Sequence, residues 1–101
     1  MDLKPGLRLA STVCDTEVVV VRAPAAPVDL RCGGQAMIAK GEAVAGGAVD
    51  PAHGQGTAIG KRYGDEELGI ELLCTKAGEG SLSIGDERLH LKDAKPLPSS
   101  D

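Results

Sequence analysis

Apolar and polar positions alternate over short stretches of this chain, and no segment holds a 3.6-residue apolar period over ten or more residues. Leu7 to Val13 alternates in part, as a short half-buried strand does, after a Pro5-Gly6 turn and a loose Met1–Lys4 end. Glu17 to Arg22 gives the strongest strand pattern. Its four successive valines are stiff at χ1 and favour the pleated state, and a run without alternation predicts a strand covered on both faces. A Pro-bounded turn over 23–27 leads to a return strand over Val28–Arg31, a Cys-Gly-Gly turn and a short strand over Ala36–Ala39. Strands resume at Thr57–Tyr63, Ile70–Lys76, Ser81–Ile84 and Glu87–Lys92. Gly85-Asp86 has glycine first, which suits a type II′ hairpin turn. The expected fold class is all-β, built of short antiparallel strands.

Composition changes this picture in one respect. The 101 residues are 42% hydrophobic yet include no Trp, no Phe and a single aromatic, Tyr63. A core of Val, Leu, Ile and Ala is thin for this length, which predicts that halves or subunits pair to cover apolar faces, with homo-oligomerisation as one outcome. The net charge of −4 and the lack of stacking aromatics exclude a nucleic-acid partner, and Lys61-Arg62 alone is too small a basic patch to reverse that. No apolar run nears the ~20 residues that span a bilayer, so no membrane partner is expected. The start M-D-L-K-P-G-L-R-L lacks a signal-peptide core, and three cysteines do not make a secreted disulfide framework; both point to a cytoplasmic protein.

The second half of the chain can be laid over the first. Leu68-Gly69 falls on Cys14-Asp15, Asp65 on Ser11 and Ile70–Cys74 on the Thr16–Val20 strand, an offset of 54 residues (14 to 68). With two residues removed from the first turn, Ile84-Gly85 falls on Cys32-Gly33 and Leu89 on Met37, an offset of 52 (32 to 84, 37 to 89). The first copy reads S-T-V-C-D and L-R-C-G-G-Q-A-M; the second reads Y-G-D-E-E-L-G-I-E-L-L and A-G-E-G-S-L-S-I-G-D-E-R-L. This pattern resembles desulforedoxin and the small N-terminal domain of desulfoferrodoxin, in which Cys-x-x-Cys-Gly and Cys-Cys-Gly-x-x-Met knuckles flank a strand, a Gly-rich turn and a strand. The resemblance implies two rubredoxin-like repeats, at 1–40 and 57–92, joined by a Gly/Ala-rich linker at 41–56 and followed by a Pro-containing tail at 93–101. It also implies an internal pseudo-dimer. Of the four family cysteines the first copy keeps Cys14 and Cys32, with Ser11 and Gly33 in the other places; the second has Asp65, Leu68, Ile84 and Gly85.

If the knuckles keep their geometry, the sulfurs of Cys14 and Cys32 lie close together. Three uses follow. They hold a single zinc or iron with a third ligand from Ser11, Asp15, Met37 or the loop residue His53, although a structural zinc site has four N/S ligands. They form a redox pair. Or they pack as small hydrophobes. Cys74 shares a strand face with Ile70 and Leu72 and reads as a buried inert thiol. His90 alternates with Leu89 and Leu91 and reads as solvent-facing. The Asp65-Glu66-Glu67 and Asp86-Glu87 acids match no calcium loop, no phosphate loop is present, and no nucleophile motif supports an enzyme. The leading expectation is a non-catalytic accessory module with a protein partner. The alternative is a metal or thiol-redox protein acting through Cys14 and Cys32.

Overall fold

The computed structural model describes residues 2–41 and 47–91. Its strands are β1 (Arg8–Ala10), β2 (Glu17–Arg22), β3 (Leu30–Cys32), β4 (Gln35–Ala36), β5 (Ile38–Ala39), β6 (Arg62–Asp65), β7 (Ile70–Lys76), β8 (Leu82–Ile84), β9 (Glu87–Arg88) and β10 (His90–Leu91). All pair antiparallel, in a six-stranded sheet ordered β10-β6-β7-β2-β1-β5 and a four-stranded sheet ordered β4-β3-β8-β9. The predicted all-β class is the observed one. The central strands β2 and β7 have the bounds their sequences predict. The strand expected over Thr57–Tyr63 begins instead at Arg62, because Ala58 to Lys61 turns: Lys61 N donates to Ala58 O and Ala58 N to the Tyr63 hydroxyl. The expected Ala36–Ala39 and Glu87–Lys92 strands are each broken in two, at Met37 and Leu89, whose backbone N–H groups turn aside to Leu30 O and Leu82 O.

Both sheets read the same from either end when each strand is exchanged for the one five places on. The register does so too. Arg8↔Val19, Leu9↔Val18 and Ala10↔Glu17 recur 54 residues later as Arg62↔Leu73, Tyr63↔Leu72 and Gly64↔Glu71. Leu9↔Ala39 recurs as Tyr63↔Leu91, and Arg31↔Ala36 as Ser83↔Arg88. Where the halves meet, Val19 pairs with its own counterpart Leu73, and Arg31 with its counterpart Ser83. On either side of these points the partners cross over, Val18↔Cys74 and Val20↔Leu72, Leu30↔Ile84 and Cys32↔Leu82.

The two sheets share one apolar cluster, with Leu9, Val18, Val20, Leu30, Met37, Ile70, Leu72, Leu82 and Leu89 at its centre. The valine run differs from expectation. Val18 and Val20 are buried, but Val19 is half-buried and Val21 is 42% exposed, because β2 has strands at both edges and a core on one face only. The Gly85-Asp86 turn is as predicted: Gly85 has φ +58° and Asp86 is not left-handed, the type II′ combination. In the linker, Pro51–His53 forms a single 3₁₀ turn capped by the Asp50 carboxylate; residues 42–46 and the tail at 93–101 lie outside the described residues.

Candidate functional site

The first knuckle is built by Ser11. Its hydroxyl oxygen accepts from Val13 N (3.1 Å) and Cys14 N (3.2 Å), while Ser11 N donates to Thr16 O, which closes a tight turn and leaves Cys14 at its tip. Asp65 does the same in the second half: its Oδ1 accepts from Glu67 N (2.8 Å) and Leu68 N (3.4 Å). Both positions that the family resemblance assigns to a cysteine therefore hold an oxygen that shapes the turn.

The second knuckle, between β3 and β4, carries Cys32, and the two sulfurs are 3.9 Å apart. Cys14 is half-buried and Cys32 fully buried. Cys14 Sγ hydrogen-bonds to the hydroxyls of Ser11 (3.3 Å) and Thr16 (3.2 Å) and accepts from Gly80 N (3.4 Å). Thr16, itself fully buried, contacts the Thr57 hydroxyl at 2.8 Å, and Thr57 accepts from Gly78 N at 3.1 Å. Through Thr16 this chain of hydroxyls joins the Gly78 N–H at one end to the sulfur at the other.

The roof of the site thus comes from the other half of the chain, the 78–81 segment, held by Gly33 N to Ser81 O (3.0 Å) and Ser81 N to His53 O (2.7 Å). Only glycine fits here. A β-carbon on Gly78 would collide with the Thr16 hydroxyl and stand 3.0 Å from Cys14 Sγ; one on Gly80 would stand 2.8 Å from Gly33 N and 3.1 Å from Cys32 Sγ.

The surroundings separate the two thiols electrostatically. Burial pushes the Cys14 thiol up, but hydrogen bonds from Ser11, from the Thr16 side chain and backbone and from the Gly80 backbone more than offset this and bring it to about 7. Cys32 is raised to about 12, first by burial and then by the neighbouring Cys14 charge. At neutral pH about half of the partly exposed Cys14 is thiolate, beside a buried Cys32 that stays a thiol.

The 3.9 Å spacing is close to the roughly 3.8 Å edge of a tetrahedron of sulfurs about zinc, so the pair matches two corners of such a site. The remaining donors do not. Among the described residues, no three His, Cys, Asp or Glu side chains come together as ligands. Ser11 is committed to the turn, Met37 is in the core and Asp15 is exposed. His53 is near Gly34, where a β-carbon would lie 3.5 Å from its ring, and joins no such group. This donor set does not fit a four-ligand iron or zinc centre.

Cys74 is buried on one face with Ile70 and Leu72 as its alternation predicts, its thiol directed to Lys76 O at 3.2 Å. His90 is exposed as expected, though Leu91 is 47% exposed as well because the strand breaks at Leu89. Sequence reasoning missed Thr16, Thr57, Gly78 and Gly80. Their only signal was the glycine-rich A-G-E-G segment, which is the second half's hairpin turn in the repeat alignment. No protein-family model, curated protein or solved structure matches this chain.

Proposed function

We propose that this protein is a thiol-redox module in which Cys14 and Cys32 interconvert between dithiol and disulfide, carried on two desulforedoxin-like repeats folded as an internal pseudo-dimer. The observation that carries this reading is the pair itself: two sulfurs 3.9 Å apart, one half-buried and accepting from Gly80 N, the other buried behind it. Cys14 is the sulfur that meets an incoming oxidant, and Cys32 closes the bond. A side-chain rotation that removes roughly 2 Å brings the sulfurs to bonding distance. The register that repeats at 54 and 52 residues supports the pseudo-dimer.

The accessory-module reading has less behind it. The exposed large apolar residues, Val21, Ile59, Leu68 and Leu91, are on four separate strands and turns, and single exposed apolar side chains are ordinary. The test is equilibration of the full chain at set potentials against a non-thiol redox mediator, with peptide mapping. A reversible Cys14–Cys32 linkage that leaves Cys74 free is expected. Failure to link at any poise, or a Cys14→Ser chain with unchanged thiol reactivity, overturns the proposal.

A further inference from the structure

The geometry points to a hydroperoxide, rather than a protein disulfide, as the oxidant that closes the Cys14–Cys32 pair; this inference rests on the dithiol reading above. Access decides it. Cys14 Sγ is ringed within 3.9 Å by the Ser11 and Thr16 hydroxyls, the Gly80 N–H and Cys32 Sγ, with the 78–81 backbone laid across both sulfurs. Attack on a disulfide needs three sulfurs in line and room for the side chain of the leaving one. The half-buried Cys14 offers a narrower approach, and Cys32 offers none. Two joined oxygens fit such an approach, and the hydroxyls and N–H that surround the sulfur are the donors that a departing hydroxide needs.

The steps balance. The Cys14 thiolate attacks one peroxide oxygen, the O–O bond breaks, and the leaving hydroxide takes a solvent proton to become water. Cys14 is now a sulfenic acid. Cys32 sulfur attacks it, the S–O bond breaks, and hydroxide departs with the Cys32 proton as a second water. The peroxide gains two electrons and the dithiol loses two. Oxidation of Cys14 also removes its negative charge, one of the causes that hold the Cys32 thiol up, so the second thiol ionises more readily once it is needed.

The experiment treats the reduced full chain, under anaerobic conditions at pH 7, with one equivalent of hydrogen peroxide or, in parallel, of oxidised glutathione. Intact mass and peptide mapping read the result. Peroxide is expected to remove two hydrogens and link Cys14 to Cys32, at least about tenfold faster than it oxidises Cys74. A Cys32→Ser chain is expected to stop with one added oxygen, captured by dimedone at Cys14. Closure by oxidised glutathione with thiols untouched by peroxide overturns the choice of oxidant and leaves the dithiol reading standing. Closure by neither reagent overturns both. Peroxide that drives Cys14 to sulfinate without linking Cys32 also overturns the inference.

Discussion

Thr16→Val tests how the site sets the reactivity of Cys14. The substitution keeps the shape of a fully buried side chain and removes the hydroxyl that joins Cys14 Sγ at 3.2 Å to Thr57 at 2.8 Å. Thr57 keeps its bond from Gly78 N, so the loss of stability is held to about 1 kcal/mol. A hydrogen bond to a charged acceptor contributes about 1.5–3 kcal/mol, and at a half-buried sulfur the lower figure applies. One pKa unit corresponds to about 1.4 kcal/mol, so the Cys14 midpoint should rise from about 7 by about one unit. At pH 7 the thiolate fraction then falls from about a half to about a tenth. Ultraviolet absorbance of the thiolate against pH is the assay. The Cys14 step comes first, because Cys32 is pushed up to about 12 and burial raises Cys74 above the ordinary 9.0. A folded Thr16→Val chain with an unmoved midpoint, or a parent chain that titrates near the ordinary 9.0, would refute the account of the site.

Stability should depend on pH through the same two thiols. Cys14, held at about 7 against an ordinary 9.0, contributes fully above about pH 9 and loses that contribution as pH falls through 7; half-buried, it is discounted to under about 1 kcal/mol. Cys32, raised to about 12, has the opposite sign: its contribution is complete below 9 and lost as pH rises towards 12, so the melting temperature should peak near pH 9 and the lower limb should flatten in Cys14→Ser. Gly80→Ala should cost about 1–3 kcal/mol, lowering the melting temperature by at least about 4 °C, because backbone rather than a flexible side chain stands 2.8 Å from the new carbon. Leu72→Ala, at a fully buried position in β7, should cost about 2–5 kcal/mol in urea unfolding, against under about 0.5 kcal/mol for the 47% exposed Leu91. Asp65→Ala should cost about 1 kcal/mol and Asp65→Ser almost nothing, since Ser11 holds the equivalent turn with a hydroxyl; equal losses in both variants would break the equivalence of the two turns.

The parts of the fold that local chemistry decides were legible. β-branched residues mark β2, alternation of Ile70, Leu72 and Cys74 marks β7, and glycine at position 85 marks its turn. The closeness of Cys14 and Cys32 was legible as well, because both stand at knuckle positions of a recognisable pattern. What escaped was decided by contacts that the alternation of apolar and polar positions does not register. Ala58 reads like a strand residue, yet Tyr63 takes its N–H into a turn; the valines read as doubly covered, yet Val21 is 42% exposed. The roof over the sulfurs was illegible for the same reason. Gly78 and Gly80 sit in a hairpin turn by sequence, and only the docking of one half on the other makes them the walls of a site whose cysteines are over 40 residues away.

Oxygen at the first position of each knuckle explains how both turns close without a sulfur there. A knuckle needs an acceptor at its first position to gather the N–H groups that follow, and Ser11 and Asp65 supply one by different side chains. Once the turn is closed by oxygen, its geometry no longer depends on a central ion, and the remaining positions are free to change. In the second half the other positions hold Leu68 and Ile84, the latter packed against the core. In the first half they hold Cys14 and Cys32, and there the other half contributes a glycine-rich roof with an N–H aimed at sulfur. A pair kept only as small hydrophobes does not need the Gly80 N–H or the Thr16 hydroxyl at its sulfur, whereas the Thr57 hydroxyl also satisfies Gly78 N. The asymmetry between two halves that otherwise share every strand register is therefore concentrated where the sulfurs are, and it is the asymmetry expected if one half carries the chemistry and the other holds it in place.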